Sequence, residues 1–362
     1  MLLSELAKGR DNNLHLLRIC AALAVLASHS WALATGNGTL EPLRALTGMS
    51  LGSLSVDVFF VASGFLVTAS LLTRSNAIDF FWARCLRIYP ALMVVILLTV
   101  LVLGPAFTSL PLRDYLTAYG TRSYLLTNSL MVTDARYFLP GVFENNPYPG
   151  AINGSLWTLP LELRMYAMLL GGWLLLWITG DWRPRLMRLL IPGVAVFYAA
   201  LLLKDLTAGV PSPPDLRLKL MFFVGASCQV FKARIQVRSA GALLAAGLLI
   251  GCSAIAPLHF PTAFLIAMPY LLLYLAFVPG GMVRRYNKLG DYSYGVYIYA
   301  FPVQQAVVAT HPGLSPLGLL LISCLITLAL SVLSWHLIEQ RALSLKTLLS
   351  QHTRRLLRLD SQ

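Results

Sequence analysis

The chain has 362 residues, of which 57% are hydrophobic and 12% charged, with a net charge of +13 and a mean hydropathy of +0.70. That composition excludes an ordinary soluble domain and a disordered chain alike. The positive balance does not mark a nucleic-acid partner either, because the cations fall in blocks between long apolar runs and read as a topology signal.

Ten apolar windows follow one another, at roughly 14–34, 52–73, 88–104, 156–179, 189–204, 217–231, 239–257, 262–279, 291–310 and 316–338, those at 189–204 and 217–231 being short. Each is read as a membrane-crossing helix. Lys8, Arg10, Arg74, Arg84, Arg87, Arg183, Arg185, Arg188, Lys232, Arg234, Arg238, Arg284, Arg285 and Lys288 occupy alternate connections, and Arg341, Lys346, Arg354, Arg355 and Arg358 follow the last span. The opposite connections hold only Arg44, Arg113, Arg122, Arg136, Lys204, Arg217 and Lys219. The positive-inside rule then puts both termini in the cytoplasm. The expected fold is all-α: a polytopic membrane protein of about ten transmembrane helices. Residues 1–346 are expected to form one transmembrane domain with an outer connection over about 105–155, and 347–362 a basic cytoplasmic tail.

In the first window Arg18 and His29 are eleven residues apart, which is three helical turns. They share one stripe, about 16 Å apart along the axis. Ionisable residues in a membrane span are costly and mark function unless they face the protein interior. A cleavable signal peptide ending at Ala32-Leu33-Ala34 is the rival reading of this window. His29 interrupts its apolar run, and removing the span would spoil the charge alternation.

Span two, "SLSVDVFFVASGFLVTASLL", carries Asp57 five residues below its outer end, the depth of His29 in span one. A carboxylate that orients an imidazole is one use of such a pair. Ser63-Gly64 reads first as a close helix-packing contact. Arg84 and Arg87, in "FFWARCLRIYP", are three apart at the inner entry to span three and make a possible two-pronged clamp for phosphate. Topology anchoring beside Trp82 and Tyr89 is the plainer alternative.

The outer connection is rich in Pro and Asn, with apolar pieces such as "SYLLTNSLMV" that suggest partial helices lying against the membrane. It serves as a lid or as a platform for a polar acceptor. Span four opens "GSLWTLPLELRMY", with Glu162 and Arg164 several residues deep, and Glu162 is expected near the level of His29. A structural ion pair is the alternative. "DYSYGVYIYAFP" puts Asp291, Tyr294 and Tyr297 at the inner start of span nine, where tyrosines most often form an aromatic belt. "SWHLIEQRAL" puts Glu339 at the inner end of span ten.

The five cysteines are scattered through spans and inner ends and read as packing residues, and no metal-ligand spacing or phosphate loop occurs. Two sequons, at Asn37 and Asn153, fall on the outer side and carry no weight.

Taken in order, "LRICAALAVLASH", "VDVFFVASGFL", "RCLRIYP", "NGSLWTLPLELRMY", "DYSYGVYIYAFP" and "SWHLIEQ" closely resemble the acyltransferase-3 family of integral membrane acyltransferases that modify bacterial surface polysaccharides. The likeness runs from residue 14 to about 341. One departure is that Gln340-Arg341 follow Glu339 where the family usually has a Pro shortly after.

The resemblance implies acetyl-CoA, or another acyl-CoA, as co-substrate and no permanently bound cofactor or metal. It implies a glycan or lipid-linked sugar acceptor in the bacterial inner membrane. The expected catalytic set is His29 as general base with Asp57 and Glu162 as orienting carboxylates. Substrate binding is expected at Arg18, Arg84, Arg87, Arg164, Tyr297 and Glu339. An acyl-histidine intermediate is the alternative to direct transfer. The competing class is a transporter using the buried charges as a path, against which stand the missing internal repeat and paired broken helices.

Overall fold

The computed structural model describes residues 1–9, 11–74 and 76–357. Arg10 and Arg358, counted above among the inner cations, and the last part of the tail, 358–362, lie outside the described residues, as does the side chain of Arg74. Among the described residues the chain is helical almost throughout, without a sheet.

Every apolar window coincides with a helix. In chain order these are α1 (Leu14–Thr35), α2 (Leu51–Arg74), α3 (Ala77–Leu98), α4 (Thr158–Leu175), α5 (Arg183–Thr207), α6 (Pro214–Val230), α7 (Ser239–Ile255), α8 (Phe260–Phe277), α9 (Ser293–Thr310) and α10 (Pro316–Ser334). An amphipathic helix, α11 (Lys346–Leu356), follows.

Six helical stretches are long and apolar enough to cross a membrane: Leu14–Thr35, Leu51–Thr73, Ala77–Phe107, Gly154–Thr207, Pro257–Phe277 and Pro316–Leu356. The fourth contains both α4 and α5, which a kink at Gly180 (φ +52°) separates. α7 is apolar but shorter. α6 carries Asp215, Arg217 and Lys219 in its first turns, and α9 is rich in Tyr and Gln. α9 can be polar because it meets protein rather than lipid: 14 of its 18 residues are buried. α7 shows the opposite bias, with Leu243, Leu244, Ile250 and Ile255 exposed as a lipid-facing helix requires.

The chain divides into two compact units interleaved in sequence. Unit 1 comprises 1–21, 42–77 and 164–290, and unit 2 comprises 22–41, 78–163 and 291–362.

In unit 1, α2 and α6 pack backbone to backbone. A Cβ on Gly64 would lie 1.9 Å from the Phe222 carbonyl oxygen, and one on Gly225 would lie 2.0 Å from that of Val61. Such approaches require glycine and replace side-chain burial with close van der Waals contact, as in membrane helix pairs generally. Ser63, next to Gly64, shares a 2.9 Å hydrogen bond with the Tyr166 hydroxyl. The dipeptide is thus a packing device. The N-terminal segment is tied to the same unit by Asn13, whose amide donates to the carbonyls of Leu275 and Pro279.

In unit 2, α9 is the central element. The connection over about 105–155 packs partly against α3 and its continuation. Its helix over Tyr119–Leu130 runs beside α3, where the Leu130 carbonyl accepts from the Tyr89 hydroxyl at 3.0 Å. Tyr115, before that helix, bonds the Val100 carbonyl. Eleven residues of the helical stretch Ala77–Phe107, which continues α3, separate Val100 from Tyr89, so the connection runs about 16 Å along it. The chain then returns through Asn128, which brackets the Arg136 backbone with its amide and its carbonyl. The segment before α4 is also buried rather than superficial: Asn153, Ser155 and Leu156 are at most 1% exposed. Irregular backbone at membrane depth is tolerated where protein covers it, which is the case here. α11 is held to α3 by Trp82, which donates to the Thr353 hydroxyl, and by the Asp79–Arg354 ion pair.

Candidate active site

One face of α9 carries Tyr294, Tyr297, Phe301, Gln304 and Val308, spaced three and four apart so that they form a continuous ladder. In unit 2 the candidate residues arrange themselves along it.

At the start of α9, Arg87 of α3 bridges two carboxylates. Its Nη2 donates to Asp291 at 2.7 Å and its Nη1 to Glu339 at 2.9 Å. The Arg87 guanidinium also covers the rings of Tyr294, at 5.5 Å, and Trp335, at 5.8 Å. Glu339 is completely buried and ends a π-helical turn, Trp335–Glu339. The wider turn lets Ser334, five residues earlier, donate to its second oxygen at 3.1 Å. Asp291 accepts a second bond from Ser293. A buried carboxylate requires this kind of saturation. Arg87, expected in a phosphate clamp, is thus already paired with two carboxylates. Arg84, one turn away, is half-buried.

Tyr294 is not part of an aromatic belt. It is buried, and its hydroxyl donates to the Ile88 carbonyl at 2.9 Å. Tyr297 is buried one turn on and shares a 2.7 Å hydrogen bond with Thr158, the first residue of α4. Glu162, one turn further along α4, interacts electrostatically with both phenols. Glu162 therefore groups with Tyr294 and Tyr297 of α9.

His29 packs edge-on against Phe301, ring centroids 5.2 Å apart. Its Nδ1 is buried and has no hydrogen-bond partner among the described residues. The α1 backbone beneath it is fixed by Gln304, whose amide donates to the Leu26 carbonyl at 2.9 Å and to Ser30 Oγ at 2.8 Å. Ser28 donates to Glu41.

The outer connection is pinned to the same helix. Gln305 donates to the carbonyls of Tyr148 and Ala151, and Asn146 donates to its Oε1 and backbone oxygen. Asn153 donates to the Ile298 carbonyl. It is a buried structural amide and does not act as a sequon on an exposed loop.

In unit 1, Asp57 is fully buried and its Oδ1 accepts from Arg217 Nε at 3.1 Å. Its Oδ2 has no hydrogen-bond partner among the described residues. Arg217, counted in the sequence among connection charges, sits in the first turn of α6. Arg18 is half-buried with its guanidinium 5.9 Å from the Phe59 ring centroid, within cation–π range. Arg164 is exposed.

Sequence reasoning missed the roles of Gln304, Gln305, Asn146, Asn153 and Arg217. Only Asn153 had a usable signal, discussed below.

The acyltransferase-domain family (acyltransferase-3) matches residues 11–336. The O-acetyl transferase of Shigella phage Sf6 is 30% identical over 347 residues, which cover 90% of this chain and 94% of that protein. Nodulation protein 10 of Rhizobium leguminosarum bv. viciae is 30% identical over 379 residues, covering 95% of this chain and 96% of that protein. No solved structure matches the chain. With its match reaching from the start of α1 to the π-helical turn after α10, this multi-pass membrane chain belongs to the acyltransferase-3 family.

Proposed function

We propose that the protein moves an acyl group, acetyl by preference, from cytoplasmic acyl-CoA to a hydroxyl of a cell-surface glycan or lipid-linked sugar. The setting is the bacterial cytoplasmic membrane, with about ten spans and both termini inside. Acetyl-CoA acts as co-substrate, with no resident cofactor. The likeness to an O-acetyl transferase along most of the chain supports the acyl chemistry.

The observation that carries the reading is His29. Its imidazole lies in a membrane-spanning helix, with a buried ring nitrogen that no group among the described residues satisfies. An orphaned buried polar atom demands an explanation, and a proton-transfer role supplies one. His29 takes the proton of the acceptor hydroxyl as its oxygen attacks the thioester carbonyl. The C–O bond forms, the C–S bond breaks, and the imidazolium returns the proton to the departing CoA sulfur. Imidazole suits both halves because its ordinary pKa lies near neutrality.

Glu162, with the two phenols beside it, is the carboxylate proposed to serve this chemistry in unit 2, and the Asp57–Arg217 pair is the fixed charge proposed to serve it in unit 1. Arg18, Arg84, Arg87, Arg164, Tyr297 and Glu339 are the proposed substrate-binding set, each to be tested singly. The deciding experiment is release of CoA thiol from acetyl-CoA by purified protein with a bacterial glycolipid extract, wild type beside His29→Ala. Release by the first alone supports the reading, and equal release by both removes His29 from the chemistry.

A further inference from the structure

A cleft of about 330 Å³ lies in unit 2, walled by Tyr137, Phe138, Tyr148 and Trp157 and floored by Ala151 and Gly154. Its size is within the roughly 300–1,000 Å³ range of small-molecule sites. The walls are aromatic on all sides and contain no charged side chain. Three of the four rings carry a polar edge: two phenol hydroxyls and one indole N–H. Tyr148 and Phe138 are 41% and 61% exposed, so their faces are available.

The cleft lies near His29. Phe301 packs against a ring on each side: its centroid is 5.2 Å from that of His29 and 6.4 Å from that of Tyr148, a cleft residue. Gly154 exists to permit this, since a Cβ there would come within 2.7 Å of the Phe301 ring. The backbone of the cleft is fixed at two levels of α9. Tyr148 and Ala151 are held at Gln305, near the end of the helix, and Trp157 precedes Thr158, which is bonded to Tyr297. Eight residues separate Gln305 from Tyr297, so these two anchors are about 12 Å apart along the helix. The surrounding connection exposes Asp134, Arg136, Glu144 and Asn145, a water-facing rather than a lipid-facing border.

We propose that this aromatic cleft is the acceptor subsite and that it takes one pyranose ring of the sugar, stacked by its C–H face on Tyr148 and Trp157. A sugar ring has an apolar face and a polar rim. Aromatic rings with hydroxyl and N–H edges match both, as they do in amphipathic interfaces generally. The proposal rests on the acyltransfer reading for its meaning, but binding can be measured without transfer. The bound ring then sits one aromatic side chain, Phe301, away from His29.

The test is saturation-transfer NMR on the full-length protein in detergent, without donor, using a panel of methyl hexosides and methyl deoxyhexosides, with decanol as an apolar probe. Wild type is expected to saturate the ring C–H protons of at least one glycoside. Tyr148→Ala and Phe138→Ala remove exposed rings and leave the Gln305 backbone bonds intact. Each is expected to weaken binding about three- to tenfold, the scale of one aromatic contact. His29→Ala is expected to bind the glycoside as wild type does while losing transfer. Absence of glycoside saturation in wild type, undiminished saturation in both ring variants, or competition by decanol alone would overturn the subsite. If His29→Ala keeps releasing CoA thiol while the ring variants lose sugar binding, the transfer reading fails and the sugar site stands.

Discussion

Asn153 donates its side-chain amide to the carbonyl of Ile298 at 2.9 Å, across 145 residues of chain. That carbonyl lacks its helical partner because the residue four positions later, Pro302, has no N–H. In lipid or dry protein such an acceptor is costly to leave unmade, and here a side chain from the buried approach to α4 supplies the donor. The same bond anchors the segment whose next residue, Gly154, gives Phe301 its room. A backbone defect in one helix is therefore what locates the start of another.

Asn153→Ala removes the donor and re-exposes the defect. The expected loss is about 1–3 kcal/mol of stability, the cost of an unsatisfied buried acceptor. Asn153→Asp, which has no N–H to offer when ionised, should do no better. Thermal unfolding in detergent measures both. A variant as stable as wild type would show that Ile298 is served by something other than Asn153.

His29→Ala is expected to lower the transfer rate by about 10²–10⁴-fold, the usual contribution of a general base. Acetyl-CoA affinity, measured by equilibrium titration, should stay within about twofold, a change of roughly 0.4 kcal/mol. A drop in protein abundance in place of the rate loss would reassign His29 to packing against Phe301.

The network of Arg87, Asp291 and Glu339 distinguishes two roles for an arginine. If it is a structural clasp between α3, α9 and the turn after α10, Arg87→Ala leaves two buried carboxylates unpaired and costs about 3–5 kcal/mol. Adding Asp291→Asn and Glu339→Gln should recover most of that loss, because no buried charge then remains. A fall in acetyl-CoA affinity with unchanged thermal stability would instead assign Arg87 to the donor phosphates.

The helices under the apolar windows were legible in the sequence because hydropathy depends on composition over a whole window, and composition survives any rearrangement of neighbours. Arg18 and His29 were legible because one helix fixes their spacing. Depth was less so. Glu162 was counted from an assumed surface, whereas Asn153, Ser155 and Leu156 just before α4 are buried. The amides of Gln304, Gln305 and Asn146 left no trace, because a glutamine in an apolar helix has no period or partner written beside it. Asn153 alone had one: a Pro nine residues into α9 announces a carbonyl in need of a donor.

The contact between α2 and α6 is the strictest packing constraint in unit 1. Gly64→Ala drives a methyl into the Phe222 carbonyl, which is backbone and has nowhere to go without separating the helices. Overpacking of this kind costs about 1–3 kcal/mol or more. Gly171→Ala is the matched control, with nothing within 4 Å of the added methyl. In a helix interior that change should be neutral or stabilising by up to about 1 kcal/mol. Equal unfolding temperatures for the two variants would contradict the close approach.

Gln304 is the residue through which α9 sets the height of His29. It binds the Leu26 carbonyl and Ser30 Oγ, which flank the imidazole on the same helix. Gln304→Leu preserves approximate volume and removes the donor. The expected consequence is a misplaced imidazole, and displacements near 1 Å can cost about 10²-fold in rate. The loss should fall on kcat, with acetyl-CoA affinity and the KM for acceptor little changed, because neither substrate touches the amide. A merely structural role predicts the reverse: lower stability with an unaltered rate per folded molecule. Measuring kcat and unfolding temperature on one preparation separates the two.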